Sequence, residues 1–508
     1  MSSRRWRPFI SFLFALWACA LSPAFGRDGA PTARDAAFIS ALTFGVTPSD
    51  MADYRKMGRD GWLKRQLRPP ADQRLPAEAQ AQIDELAEIR RSPLELVAEF
   101  DARNRAVAQM DSPETKDAAR RAVQEGMNNV VRQAKAASIL RALYGPDQLR
   151  ARMTWFWFNH FNVSQGKANL RLLVGDYEAR AIRPHALGSF RALLGATLRH
   201  PAMIRYLDNA ENAAGKINEN YAREIMELHT MGVGSGYTQK DVEELARILT
   251  GVGLDMKPDD PKLKPEWRHL LVREGYWTFN PARHDFGDKI FLGQKIRGRG
   301  FEEVEEALDI LARQAATARH VSTRIAAYFV ADAPPPKLID RMAKTFQNSK
   351  GDIAAVLEAM IRSPEFEASL GQRFKDPVRY IYSAVRLAYD GKVVSNVQPI
   401  QNWLARLGEG LYMRQTPDGY GLASTAWNGS GQMTARFEIA RLIGSGPAGL
   451  FKPPGADGER PGFPLLQNEL WFTTLRHNLS PATRAALDKA TSPQDWNTLY
   501  LSSPDFMH

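Results

Sequence analysis

The sequence predicts a mainly α fold: a large multi-helical body with a small two- or three-stranded β insertion and long glycine-rich loops. Three observations support it. Proline-headed caps recur from end to end, the apolar residues between them keep helical spacing, and only one stretch breaks that rhythm. Thr47-Pro48-Ser49-Asp50 offers an N-cap, a proline at the first helical position and an acid in the first turn. The same device returns at His200-Pro201, Ser363-Pro364-Glu365 and Ser503-Pro504-Asp505.

At the amino terminus, Arg4, Arg5 and Arg7 precede an apolar run from Phe9 to Leu21, and Ser22, Pro23, Ala24 and Gly26 follow. That pattern reads as a secretory signal over residues 1–26, cleaved after Gly26. The general secretory route fits. Arg4-Arg5 admits the twin-arginine route, although Arg7 stands where that signal usually has a large apolar residue. Leu16-Trp17-Ala18-Cys19 resembles a lipoprotein box, and Trp17 argues against it. The expectation is a periplasmic or secreted protein whose residues 27–508 form a single helical domain. Cys19 is the only cysteine, so the mature chain contains no thiol and relies on its core instead of disulfides. No second apolar run approaches the roughly 20 residues of a membrane-spanning helix.

The formal net charge is +10, and the leader contributes Arg4, Arg5 and Arg7 to it. Charges of both signs alternate along the remainder without forming a basic stripe, which argues against nucleic acid as a partner; export argues further against it. A mildly basic surface remains compatible with an anionic polymer or lipid headgroup.

Within the mature chain, Asp101 to Ala136 is rich in charge and alanine, which reads as an exposed helical arm or flexible hairpin. Trp155-Phe156-Trp157-Phe158-Asn159-His160-Phe161-Asn162 is aromatic on every side of a helix and therefore predicts a deeply buried segment. Asn159, His160 and Asn162 are its informative residues, because buried polar groups must find partners. Val321, Ile325, Tyr328 and Phe329 form one apolar stripe, ended by Pro334-Pro335-Pro336; Ile353, Val356, Leu357, Met360 and Ile361 form another. Residues 275–300 break the rhythm: Tyr276-Trp277-Thr278-Phe279, Ile290-Phe291-Leu292 and Lys295-Ile296 read as short strands. Across 396–470 frequent glycines, as in Asn428-Gly429-Ser430-Gly431, predict long ordered loops.

The densest polar constellation runs from Asn218 to His229. On a helix, Asn220, Glu224 and Glu227 share one face with Arg223 beside them, while Tyr221, Ile225 and Leu228 share the other. Such a face in a cleft lets one carboxyl stay protonated as a general acid while the other stays ionised beside Arg223; on open surface it is only a solvated polar face. Glu224 and Glu227 are the catalytic candidates, with Asn159, His160, Asn220, Arg223, His284 and Asp285 as binding candidates around one concave site. His229 falls on the apolar side and reads as a buried structural histidine. Thr238 with Asp241 makes a capping box for the next helix, and Glu243 and Glu244 can pair with Arg247. His284-Asp285 lacks the further ligands of a zinc site, and neither a nucleophile elbow nor a phosphate-binding glycine loop with Lys-Ser or Lys-Thr is present. No metal or cofactor is therefore implied.

These segments together resemble a bacterial family of unknown function numbered 1800. The resemblance rests on Phe156 to Val163, Asn218 to Glu224, Glu227 to Gly232, Gly236-Tyr237-Thr238 and Leu249-Thr250-Gly251, His284-Asp285 with Gly287 and Lys289, Ser363 to Phe366, and Pro417-Asp418-Gly419-Tyr420. It implies export and a mainly helical body. Its members are often encoded beside sulfatase-like or phosphatase-like proteins, which implies an envelope-polymer setting. The sequence departs from the family's pattern at Val252, where tryptophan is usual, and at Glu409-Gly410, where Gln-Pro is usual. Two functional readings follow. One is a carbohydrate-active hydrolase of an envelope polysaccharide; the other is a non-catalytic accessory protein for a neighbouring exported enzyme.

Overall fold

Capping chemistry sets the helix boundaries. Thr47 and Thr238 each accept a hydrogen bond from the backbone of a first-turn aspartate that bonds back, so Pro48–Leu67 and Gln239–Ile248 begin with both orphan donors satisfied. His200, Ser363 and Ser503 cap helices that start at Pro201, Pro364 and Pro504. The computed structural model describes residues 32–70, 73–257, 259–452 and 461–508. The secretory signal expected at residues 1–26, Cys19 included, lies outside the described residues. No helix among the described residues is long and apolar enough to cross a membrane.

The structure is mainly helical, with a few short antiparallel strands. At its centre runs the helix Gln148–His160, in which every residue except Arg150 is buried. Trp157 and Phe156 stack edge-on with centroids 4.8 Å apart, and Phe156 also meets Tyr328 from the helix Ala315–Phe329. That helix and Ile353–Ile361 carry the two apolar stripes read from the sequence, and Phe329 ends the first just before the proline run. One continuous apolar core contains these residues and those of the helices on either side.

Two regions differ from expectation. Asp101 to Ala136 is helical and mostly exposed, as its composition implies, but it is anchored along one seam: Pro93–Ala108 and Pro113–Tyr144 pack against each other, burying Phe100 and Val107 with Val123, Met127, Val130 and Val131. A few large apolar residues suffice because alanine and Gly126 allow close approach; a Cβ on Gly126 would lie 2.8 Å from the Phe100 ring. The stretch 396–470 is also less loop-like than its glycines imply, since Gln398–Arg406 and Ser430–Ser445 are helices. The second starts inside the Asn428-Gly431 run, with Gly429 as its N-cap, where the first N–H groups have no intrahelical partner to lose.

The β insertion draws strands from outside 275–300. β1 (Val252–Leu254), β2 (Val272–Glu274) and β3 (Trp277–Phe279) pair antiparallel in the order β1-β3-β2, while β4 (Lys289–Phe291) and β5 (Gln294–Ile296) form a hairpin. Leu292 and Gly293 turn that hairpin with φ of 49° and 75°, the two-residue geometry that matches strand twist. A buried ion cluster fastens the insertion to the helix Phe301–Arg313. Glu303 Oε1 accepts from His284 Nε2 at 2.9 Å and from the Gly300 N–H, and its other oxygen accepts from Lys289. All three side chains are fully buried. Burial pushes the Glu303 carboxyl up, but the bonds from His284 and Lys289 outweigh it and hold the group below its usual value. Glu303→Gln would strand the Lys289 ammonium without a counter-charge. The expected loss is about 3–5 kcal/mol of unfolding free energy, measured by urea denaturation.

Candidate functional site

The Asn220–Glu224 helix does not continue as an α-helix. Ile225–His229 widens into π-helical turns, and Thr230 closes the end by donating to the Ile225 carbonyl at 2.7 Å. Such wide turns recur at functional sites because they re-aim side chains. Glu224 and Glu227 both sit at this junction. Arg223 reaches Glu227 at 3.4 Å, Glu219 at 3.0 Å and Gln239 at 2.8 Å, so Glu227 is clamped as an ion pair. The Tyr237 hydroxyl beside it is pushed up by burial and by the Glu227 charge.

Glu224 is different. It is half-buried, and its carboxyl is raised by burial first and then by Glu227, against an opposing pull from Arg223 that exceeds the small further push from Asp418. Among the described residues no hydrogen bond to its ionised form offsets the desolvation. The two carboxylates of the helical face thus sit in unlike environments, one clamped by an arginine and one desolvated beside like charge.

Asp418 comes from a distant loop that Asn159 and Asn162 pin to the end of the aromatic helix. The Asn159 amide donates to the Tyr420 carbonyl at 2.9 Å and accepts from the Tyr420 N–H at 2.6 Å, as a neighbouring strand would. Asn162 donates to the carbonyls of Arg414 and Thr416 at 3.1 and 2.8 Å. Only glycine fits at 419: its φ is +74°, and a Cβ would lie 2.1 Å from the Asn159 carbonyl oxygen. Arg414 holds Asp418 at 3.0 Å. Tyr206, near both Asp418 and Glu224, is pushed up to about 12 chiefly by burial.

Behind the carboxylates lies a histidine cluster. His160 Nε2 donates to the His229 carbonyl at 3.0 Å, and His320 Nε2 donates to the Leu228 carbonyl at 3.1 Å, so two histidines tie down the wide turn. The His160 ring lies 6.1 and 6.0 Å from those of His229 and His320. Among the described residues His160 Nδ1, His229 Nε2 and the Arg324 Nε have no partner. Burial foremost, then the nearby Arg324 charge, holds His160 well below its ordinary value, His229 at about 3 and His320 at about 4. Among the described residues no three His, Cys, Asp or Glu side chains form a set that could hold a metal ion.

The structure therefore brings together Arg223, Glu224 and Glu227, with His160 one layer behind and Asn159 fixing the loop that supplies Asp418. Asn220 turns away: its amide donates to the Leu207 carbonyl at 3.0 Å, satisfying the exposed end of the Pro201–Tyr206 helix. His284 and Asp285 belong to a separate cluster. His284 uses Nε2 on Glu303 and Nδ1 at the Thr250 carbonyl, 2.8 Å away, and Asp285 takes Arg247 at 2.8 Å, which holds its carboxyl low. Gln239, which meets Arg223, and Arg247, which meets Asp285, lie eight residues apart on one helix, or about 12 Å along its axis. Glu244 pairs with Arg247 as expected, whereas Glu243 pairs with Lys240. Sequence reading did not assign Asp418, His320 or Arg324 to the site. Asp418 stood in a segment read as loop, and the spacing of His320 and Arg324 was the available signal that both share one helical face.

Fold and site define a mainly helical protein with a half-buried carboxylate cluster at a helix end. The chain belongs to the family described as Protein of unknown function (DUF1800), whose model matches residues 37–508. No curated protein and no solved structure matches it.

Two outcomes test the assembly of this site. Asn159→Ala leaves both the N–H and the carbonyl of Tyr420 without partners and is expected to cost at least about 2 kcal/mol in denaturant unfolding. For the histidines, folded values below the unfolded value of about 6.5 mean that the unfolded chain binds protons the fold refuses. Their contribution is complete above pH 6.5 and is lost as pH falls towards 4, at about 1.4 kcal/mol per pH unit for each histidine. Urea midpoints between pH 7 and 4.5 should fall accordingly, and His229→Gln should flatten the slope by close to one proton.

Proposed function

We propose that the protein is exported to the periplasm or medium and hydrolyses an envelope polysaccharide by carboxylate acid/base catalysis. One observation carries this reading: Glu224 is a half-buried carboxyl raised by burial and by two neighbouring carboxylates, while Glu227, one turn on, is clamped by Arg223. A desolvated carboxyl raised towards its protonated form, one turn from a carboxylate held by an arginine, is the kind of pair that glycosidic cleavage uses. Glu224 would deliver its proton to the leaving glycosidic oxygen as the bond to the anomeric carbon breaks. Glu227 would accept the proton of the attacking water as its oxygen bonds to the anomeric carbon.

An accessory role for a neighbouring exported enzyme draws on a different feature, the outer face of the Pro93–Ala108 and Pro113–Tyr144 pair. That face is exposed and carries charges of both signs.

The test is reducing-end release from a panel of envelope and sulfated glycans by the mature protein and by Glu224→Gln. The variant should lose activity by about a hundredfold or more. Its melting temperature should be unchanged or higher: a raised folded value makes ionisation at neutral pH a cost, which the amide does not bear. A variant that is destabilised yet fully active per folded molecule would remove Glu224 from the chemistry.

A further inference from the structure

A second feature lies away from the carboxylates. A cleft of about 500 Å³ opens where the helices Ala33–Leu42 and Pro377–Ala388 meet the C-terminal segment around Pro504 to His508. Lys375 and Arg379 line it, and they are only 6% and 5% exposed. Among the described residues the Arg379 guanidinium makes no hydrogen bond and no ion pair; only its backbone N–H is engaged, by Asp376. Lys375 Nζ donates to the Phe506 carbonyl and stands 3.9 Å over the Phe506 ring, with no carboxylate in reach.

Two more cations stand behind them. Arg152 donates to the carbonyl of Ala41 and lies 4.5 Å over Phe329, both cleft residues, while its Nε and Nη2 have no partner. Arg436 donates to the Lys375 carbonyl at 2.8 Å and leaves Nε and Nη1 without partners. None of the four forms an ion pair among the described residues.

The nearby carboxylates are committed elsewhere. Asp505 takes the Ser480 hydroxyl at 2.7 Å, and Asp376 caps the helix that carries Arg379. Glu409 accepts from Trp155 and Val378, and burial, followed by the Asp376 charge, pushes its carboxyl well above the usual range. Arg373 at the cleft is already paired with Asp332. Asp376 still lends its charge to Arg379 and Arg436, but one such carboxylate among four buried cations leaves a surplus that is costly in a low dielectric unless an anion from outside completes it. Burial, with repulsion from neighbouring cations, depresses Lys375 and pushes Arg379 down to about 9, the direction that uncompensated positive charge dictates.

We propose that this cleft binds a dianionic tetrahedral oxyanion, either free or as a small phosphate monoester, through Arg379 and Lys375 with Arg152 and Arg436 behind them. Two negative charges match the surplus better than one carboxylate would, and several oxygens can accept from both a guanidinium fork and an ammonium. The volume falls within the range of ligand pockets and leaves room for an ester substituent.

The experiment is isothermal calorimetry on the purified mature protein. Inorganic phosphate, inorganic sulfate and glycerol 3-phosphate are titrated separately in chloride buffers of matched ionic strength, with thermal melts in parallel. Saturable one-site binding of an inorganic oxyanion and a rising melting temperature are expected. Tighter binding of glycerol 3-phosphate assigns the ester as source, and binding of inorganic ions alone assigns the free oxyanion. Arg379→Met should melt at or above the wild-type temperature without oxyanion and lose affinity at least tenfold, whereas a purely structural arginine would lower the melt and leave affinity intact. Lys375→Met serves the same comparison if the first variant does not fold. No saturable heat from any of the three in wild type, or unchanged affinity in a folded Arg379→Met, overturns the proposal.

Discussion

A helix buried on every side has no solvent to hydrate its polar side chains, and the structure is arranged around that constraint. Gln148–His160 solves it by reaching outward. Gln148 bonds the carbonyls of Ala142 and Gly145 and the Phe44 N–H, Arg152 bonds Ala41, and Trp157 bonds Ala186. Trp155 takes Glu409, Asn159 takes Tyr420, and His160 takes His229. Apart from the Gln148 bonds to Ala142 and Gly145, which close the turn before the helix, each bond fixes a segment farther off in sequence. Satisfying the central helix therefore positions the loop with Asp418, the wide turn with Glu227 and the N-terminal helix beside the cleft.

Much of this was legible because caps and periodicity are local signals. Thr47, Thr238, Ser363 and Ser503 cap where the sequence placed them, and the aromatic run from Trp155 is buried as its composition required. Partner identity was not legible. Nothing within the Asn218–His229 segment shows that the helix loosens after Glu224, because that geometry is imposed by His160 and His320 bonding the carbonyls of His229 and Leu228. For the same reason His284 was read beside Glu224. Adjacency to an acid in sequence does not reveal that Glu303 and Lys289 complete its cluster. The alanine-rich hairpin was legible as helical and exposed, but its packed seam was not, since close backbone approach replaces large side chains there.

Glu409 connects the family pattern to physical chemistry. The family resemblance implies glutamine around this position, and a charged replacement in a buried site is ordinarily costly. Burial and the neighbouring Asp376 push the Glu409 carboxyl well above its normal range, while one of its oxygens accepts from Trp155 at 3.2 Å and the other from Val378 at 3.0 Å. A glutamine there would accept at only one of these two positions, because its amide nitrogen donates, so the carboxyl suits the two N–H groups better. The nearby Arg436 charge pulls the Glu409 carboxyl the other way, more weakly than burial and Asp376 push it up.

The helix Ala315–Phe329 joins the two charged regions. His320 and Arg324 stand behind the carboxylates, and one turn further on Tyr328 and Phe329 form the surface over which Arg152 lies. A rigid connection of this kind does not by itself make the regions communicate, because a ligand shifts another site only if it favours one of two arrangements of the element between them. No alternative packing of this helix is implied by its contacts, since Val321, Ile325 and Ala326 are buried in the core along its length. What the regions share is global stability. An anion bound among the cleft cations would stabilise the folded state as a whole by mass action, and with it the Asn159 and His160 bonds that hold Glu224 and Asp418 together.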